Sequence, residues 1–267
     1  MAEFVDEMPQ VAHLTDGESS LLIVITGGMP SVAHWGAALG DSDRGLIGAL
    51  ERPVPGGGLD VDPPLGLVAE AGVGWFGTPG IEGHRPDGSD FAPQFSLQSV
   101  EADQHRAEIA LVDGSARLSL RIDVALHASG VATFRASISN NGESSYTLDA
   151  LRLSLPVPAQ AGELLTVGGR WTNEFGQTRT PWIGNCTTIE NRRGKTSHER
   201  LGAVFAGTPG FTEHSGEVWG CHIGWSGNFE IICDSVTDGR RSLQLGELLA
   251  SGEIWLEPGE SYDTPVI

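Results

Sequence analysis

Between Ala116 and Ala128 the chain reads ARLSLRIDVALHA, and every second residue of its central part is apolar. Leu118, Leu120, Ile122, Val124 and Leu126 alternate with Ser119, Arg121, Asp123 and Ala125, a period of two that gives a strand one face on a core. Asp113-Gly114 precedes this run as a hairpin turn signal. GVATFRASISNNG repeats the pattern through Ala132, Phe134, Ala136 and Ile138, closes on Asn140-Asn141-Gly142 and leads into YTLDALRLSLPVP. These segments read as three meandering antiparallel strands. EVWGCHIGWSGNFEIICDS and RRSLQLGELLASGEIWLEP continue in the same style, and no segment of about a dozen residues holds a helical period with caps. The expected fold is all-β, a large antiparallel β-sandwich, and 267 residues fit a single domain of that class, 1–267.

The stretch from about Gly40 to Pro93 interrupts this pattern with glycines and prolines. A loop of that length is commonly functional or disordered, but Leu67, Trp75 and Phe76 give it apolar anchors, so it reads as an ordered elaboration packed on the sandwich. Within it, GVGWFG matches G-x-G-x-x-G at Gly72, Gly74 and Gly77. The dinucleotide fingerprint requires a helix to begin there, and Thr78-Pro79-Gly80 prevents one. The match is accidental, and no cofactor is expected.

Acidic residues outnumber Lys and Arg by 35 to 16, a net charge of −19. Such a chain repels nucleic acid and anionic lipid, which need clustered basic groups, so neither is expected as a partner. A neutral or cationic ligand fits better. MAEFVDEMPQ carries acids where a secretory signal carries bases, and Leu21 to Ile25 is far shorter than the roughly 20 residues of a membrane span. The expectation is a cytoplasmic chain with no membrane segment. Cys186, Cys221 and Cys233 leave one thiol unpaired under any bridging scheme and lack C-x-x-C spacing, so they read as buried thiols with no metal site. Asn185-Cys186-Thr187 fits the glycosylation sequon but carries no weight without a secretory signal.

Motifs for known catalytic sets are absent from the sequence: there is no G-x-S-x-G and no H-E-x-x-H. Paired carboxylates cleave glycosides, but the abundance of acids identifies no pair. What remains are three polar clusters set among aromatics, GGRWTNEFGQ, ENRRGKTSHER and EVWGCHIGWSGNFE. Aromatic faces stack on sugar rings while Asn, Glu and Arg bind hydroxyls, so the mixture suits a neutral carbohydrate. Trp219 and Trp225 read as core residues on strands. For Trp171, between glycines and polar residues, an exposed and a buried position both stay open.

Four ordered motifs carry a resemblance: GGRWTNE, NRRGKTSH, GEVWGCHIGWSGNFE and the closing LEPGESYDTP. Together they resemble the N-terminal domain of family 36 glycoside hydrolases, the bacterial α-galactosidases, from about His34-Trp35-Gly36 to the last residue. The resemblance implies a galactose-mutarotase-like β-supersandwich that hands over to a catalytic (β/α)₈ barrel at the T-P motif, here Thr264-Pro265. It further implies that the family's two catalytic aspartates lie on that barrel, beyond Ile267. No catalytic residue is then expected in this chain, and the fragment alone should be inactive. A retaining enzyme of this kind sets its two carboxylates roughly 5 Å apart. The resemblance also implies a homo-oligomer, a tetramer, in which the N-terminal domain lines the sugar pocket of a neighbouring subunit. Its Trp matches Trp171, and its acidic loop residue matches Glu51 or, with gaps, Asp60 or Asp62. The implied ligand is an α-galactoside or oligosaccharide. The alternative is a free-standing carbohydrate-binding or mutarotase-like sandwich that works without a barrel.

Overall fold

A computed structural model of the protein describes residues 10–40 and 63–267. Its strands are, in chain order, β1 (Gln10–Thr15), β2 (Ser19–Ile25), β3 (Ser31–Ala37), β4 (Ile81–His84), β5 (Ser96–Ala102), β6 (Arg106–Asp113), β7 (Leu118–Leu126), β8 (Ala132–Asn140) and β9 (Tyr146–Val157). They continue as β10 (Glu163–Arg170), β11 (Asn173–Pro181), β12 (Thr187–Asn191), β13 (Arg200–Gly207), β14 (Val218–His222), β15 (Phe229–Ser235), β16 (Arg241–Glu247), β17 (Ile254–Leu256) and β18 (Ser261–Asp263). Among the described residues the helical content is a single 3-10 turn at Ala71–Val73, and no helix is long and apolar enough to cross a membrane.

Among the described residues the chain is all-β, with every strand pairing antiparallel in one of four sheets. Their strand orders are β1-β2-β3, β11-β10-β13-β14, β12-β15-β16-β9-β17 with β4 also on β9, and β18-β8-β7-β6-β5. The alternating run from Leu118 to Leu126 forms β7, whose Leu118, Leu120, Ile122, Val124 and Leu126 are all buried. One main core runs under all four sheets.

The expected three-strand meander is corrected at its last strand. β7 pairs with β8, but β9 pairs with β16, β17 and β4 in a different sheet. The reason is in its composition: Ala150 to Leu155 is buried without interruption, as befits a central strand covered on both faces. The change of sheet is anchored by Arg85, which donates to Ser144 O at 2.6 Å and Ala116 O at 2.6 Å, reaches Asn140 Oδ1 at 3.2 Å and pairs with Asp90 at 2.8 Å. Asn140 completes the node, donating to Ser144 O and Leu256 O.

Of the expected elaboration at 40–93, residues 41–62 lie outside the described residues. The remainder is anchored by buried Leu67 and Trp75, whereas Phe76, expected to anchor it too, is exposed. It also contains a strand, β4, where the sequence suggested only irregular backbone. Gly72 to Gly77 enters the single 3-10 turn and then a bend, and no α-helix starts there. Cys221 and Cys233 are buried, while Cys186 is exposed, against expectation. Burial pushes the Cys221 thiol up to about 12. The closing residues are tied into the β8 sheet: Thr264 N–H donates to Ala136 O at 2.8 Å, and Ile267 and Phe134 exchange hydrogen bonds at 3.0 and 2.9 Å.

Candidate functional site

Strand β10 ends in Gly168-Gly169-Arg170, and both glycines answer to close backbone approach. A Cβ on Gly168 would lie 2.7 Å from Glu199 O, and one on Gly169 would run into Asn173 O. The pairing registers of β10 with β11 and with β13 shift here, the mark of a bulge that re-aims the following side chain. Arg170 pairs with Asn173, so Trp171 and Thr172 form the tip of the hairpin. Thr172 and Phe175 take left-handed backbone, at φ 69° and 57°, and such residues persist where their surroundings hold them. Glu174 Oε1 accepts the Thr172 N–H at 2.9 Å and so braces the tip. Its carboxyl is held below the ordinary value by its own and the Thr172 N–H groups.

The question left open for Trp171 is answered by its exposure, 77%, with Phe175 beside it at 72%. Every residue of β11 except half-buried Gly176 is exposed, so this edge strand shows both faces to solvent. Phe175 was missed by sequence reasoning. Its signal was a lone large apolar residue in an otherwise polar strand, NEFGQTRTP.

The other two polar motifs join at the same end of the four-stranded sheet. Buried Asn191 donates through its amide to Lys195 O at 2.9 Å and Gly227 O at 3.0 Å. Gly194 N–H meets Asn228 Oδ1 at 2.7 Å, and Thr196 binds Ser226 O and Trp225 O. Loop 192–198 is thereby clipped to loop 224–228. A groove of about 450 Å³ then connects them to the hairpin, lined by Gly169, Glu190, Asn191, Arg192, Arg193, Glu199 and Arg200. Arg192 pairs with Glu190 and Arg193 with Glu199, each at 2.7 Å. Exposed pairs of this kind add little stability, but they present guanidinium donors and carboxylate acceptors in fixed positions. Trp225, read from sequence as core, is 40% exposed. Its ring lies over Gly227, where a Cβ would sit 2.5 Å from Nε1, so this close approach requires glycine.

Aromatic faces beside pinned donors and acceptors suit a ligand rich in hydroxyl groups. The buried carboxylates among the described residues, by contrast, serve the fold. Glu230 pairs with Arg152 at 2.6 Å, Asp234 accepts Thr78 N–H, Asp113 accepts three backbone N–H groups and Glu70 accepts Phe95 N–H. Glu51, Asp60 and Asp62 lie outside the described residues.

The model of the glycosyl hydrolase family 36 N-terminal domain matches residues 28–257. The chain belongs to this family. Among curated proteins, this family 36 domain is 39% identical over 244 residues to an alpha-galactosidase of Escherichia coli, a match covering 91% of the chain and 34% of that relative. It is 30% identical over 175 residues to the alpha-galactosidase AgaA of Geobacillus stearothermophilus, covering 63% of the chain and 24% of the relative. The domain thus spans about a third or less of the length of these relatives. A crystal structure of an AgaA variant in complex with raffinose superposes with a TM-score of 0.84 at 22% identity, over 96% of this chain and 40% of that one. At that identity the likeness speaks to the fold.

Proposed function

We propose that the four sheets form a β-supersandwich and that the chain is the N-terminal, non-catalytic part of a retaining α-galactosidase acting on terminal α-galactosides. In this reading the enzyme is a homo-oligomer, and the β10–β11 hairpin enters the sugar pocket of a neighbouring subunit. The observation that carries it is Trp171, a large aromatic held in solvent at the tip of a braced hairpin whose outer strand is exposed on both faces. An exposed edge strand is a liability unless something covers it, and an exposed tryptophan next to fixed polar groups is a ready stacking platform. The raffinose complex of AgaA supports the substrate class.

The test is Trp171→Ala in the enzyme that contains this domain. Stacking contributes binding energy uniformly, so KM should rise by about tenfold or more with a smaller fall in kcat. The melting temperature of the domain should stay within about 2 °C, because an exposed side chain leaves no cavity. An unchanged KM, or a large loss of stability, would remove the hairpin from the sugar site.

A further inference from the structure

A second groove, of about 560 Å³, opens between β3 and β14, the end strands of their two sheets. It shares no lining residue with the groove beside Trp171. Its walls include Ser19, Trp35, Phe134, Phe205, Trp219 and His222, and none of its lining residues is an Asp, Glu, Lys or Arg. That is unusual on a chain of net charge −19, and it selects against an ionic occupant.

The aromatic walls are fixed. Trp35 Nε1 donates to Pro156 O at 2.7 Å, which locks its ring. The Phe205 ring lies over Gly220, where a Cβ would come within 2.9 Å of it. Trp219, read from sequence as core, is half-buried against the main core and also faces this groove. Among the described residues, the Trp219 indole N–H, the His222 imidazole and the Ser19 hydroxyl have no hydrogen-bond partner. An apolar occupant would bury these groups unsatisfied, at the desolvation cost of each. An occupant with hydroxyl groups would satisfy them.

We propose that this groove is a binding site for a neutral oligosaccharide, with a pyranose face against Phe205 or Trp219 and hydroxyl groups toward Trp219 Nε1, His222 and Ser19. Its volume falls in the range of about 300–1,000 Å³ typical of small-molecule sites. The choice of carbohydrate among neutral polar ligands rests on the family to which the domain belongs.

The test is titration of the 267-residue chain with raffinose, followed by intrinsic tryptophan fluorescence and calorimetry, with folding of each variant checked by circular dichroism. The expected result is a saturable response that weakens by about two- to tenfold in His222→Ala, the loss of one hydrogen bond. Trp219→Ala should weaken it further. Should that variant fail to fold, Trp219→Phe keeps a ring and removes the N–H, and is expected to weaken binding as His222→Ala does. The proposal is overturned by a response that never saturates, by one indifferent to both Trp219 and His222, or by one abolished in Trp171→Ala. An apolar dye that fills the groove with no competition from raffinose also overturns it.

Discussion

Glu70 lies buried at the start of the 3-10 turn, its Oε1 accepting the Phe95 N–H at 2.6 Å. Burial pushes its carboxyl up to about 7, the Phe95 N–H opposes that rise and Asp113 adds to it. The unfolded chain releases this proton near the ordinary 4.5, so between 4.5 and 7 the folded state binds more protons. Stability therefore falls as pH rises through that window, by at most about 3 kcal/mol. Glu70→Gln keeps the acceptor and removes the charge. It should leave the melting temperature near its acidic value and flatten its decline up to pH 8, as read by thermal unfolding across pH; a variant as pH-sensitive as the wild type would refute this. None of this was legible in the sequence, where Glu70 is one acid among 35. Its environment is made by Phe95, twenty-five residues away, and contacts of that kind have no local signature. Trp171 was half legible: flanking glycines and polar neighbours favoured a turn, yet its exposure follows from the bulge, which is set by the backbone of Glu199 and Asn173.

At the scale of the element, the β10–β11 hairpin depends on Gly169. A Cβ there would press on Asn173 O, so Gly169→Ala should cost about 1–3 kcal/mol by overpacking and swing the tip away from its direction. The expected outcome in the enzyme is a raised KM like that of Trp171→Ala, joined by a lowered melting temperature. Gly184→Ala is the control, since a Cβ at Gly184 meets nothing within 4 Å, and it should change neither quantity. Strands whose two faces differ, such as β7 and β8, were read correctly because alternation survives in the sequence. β9 was assigned to the wrong partner because a strand buried on both faces carries no alternation to fix its neighbours. β4 was hidden for another reason: four residues, Ile81–His84, are too few to show a period.

For the whole molecule, the expectation is that the folded 267-residue chain hydrolyses no aryl α-galactoside. Among the described residues, each of the buried carboxylates Glu70, Asp113, Glu230 and Asp234 is bound to backbone or to an arginine, whereas glycoside cleavage needs an acid and a nucleophile facing a substrate. Turnover by the purified chain, free of contaminating glycosidase, would contradict this. The fold class was legible because it follows from periodicity summed over many strands. The arrangement into four sheets was not, since it is decided by pairings such as β9 with β16 and β10 with β13. One such pairing also sets a clock. The outer edge of β8 is covered by β18, and Ser139 meets Ser261 across 122 residues of chain. A ribosome adding about 5–20 residues per second needs roughly 6–24 s to make that span. During this interval the nascent sheet holds an open edge, and the chain is then most exposed to mispairing with its neighbours on a polysome.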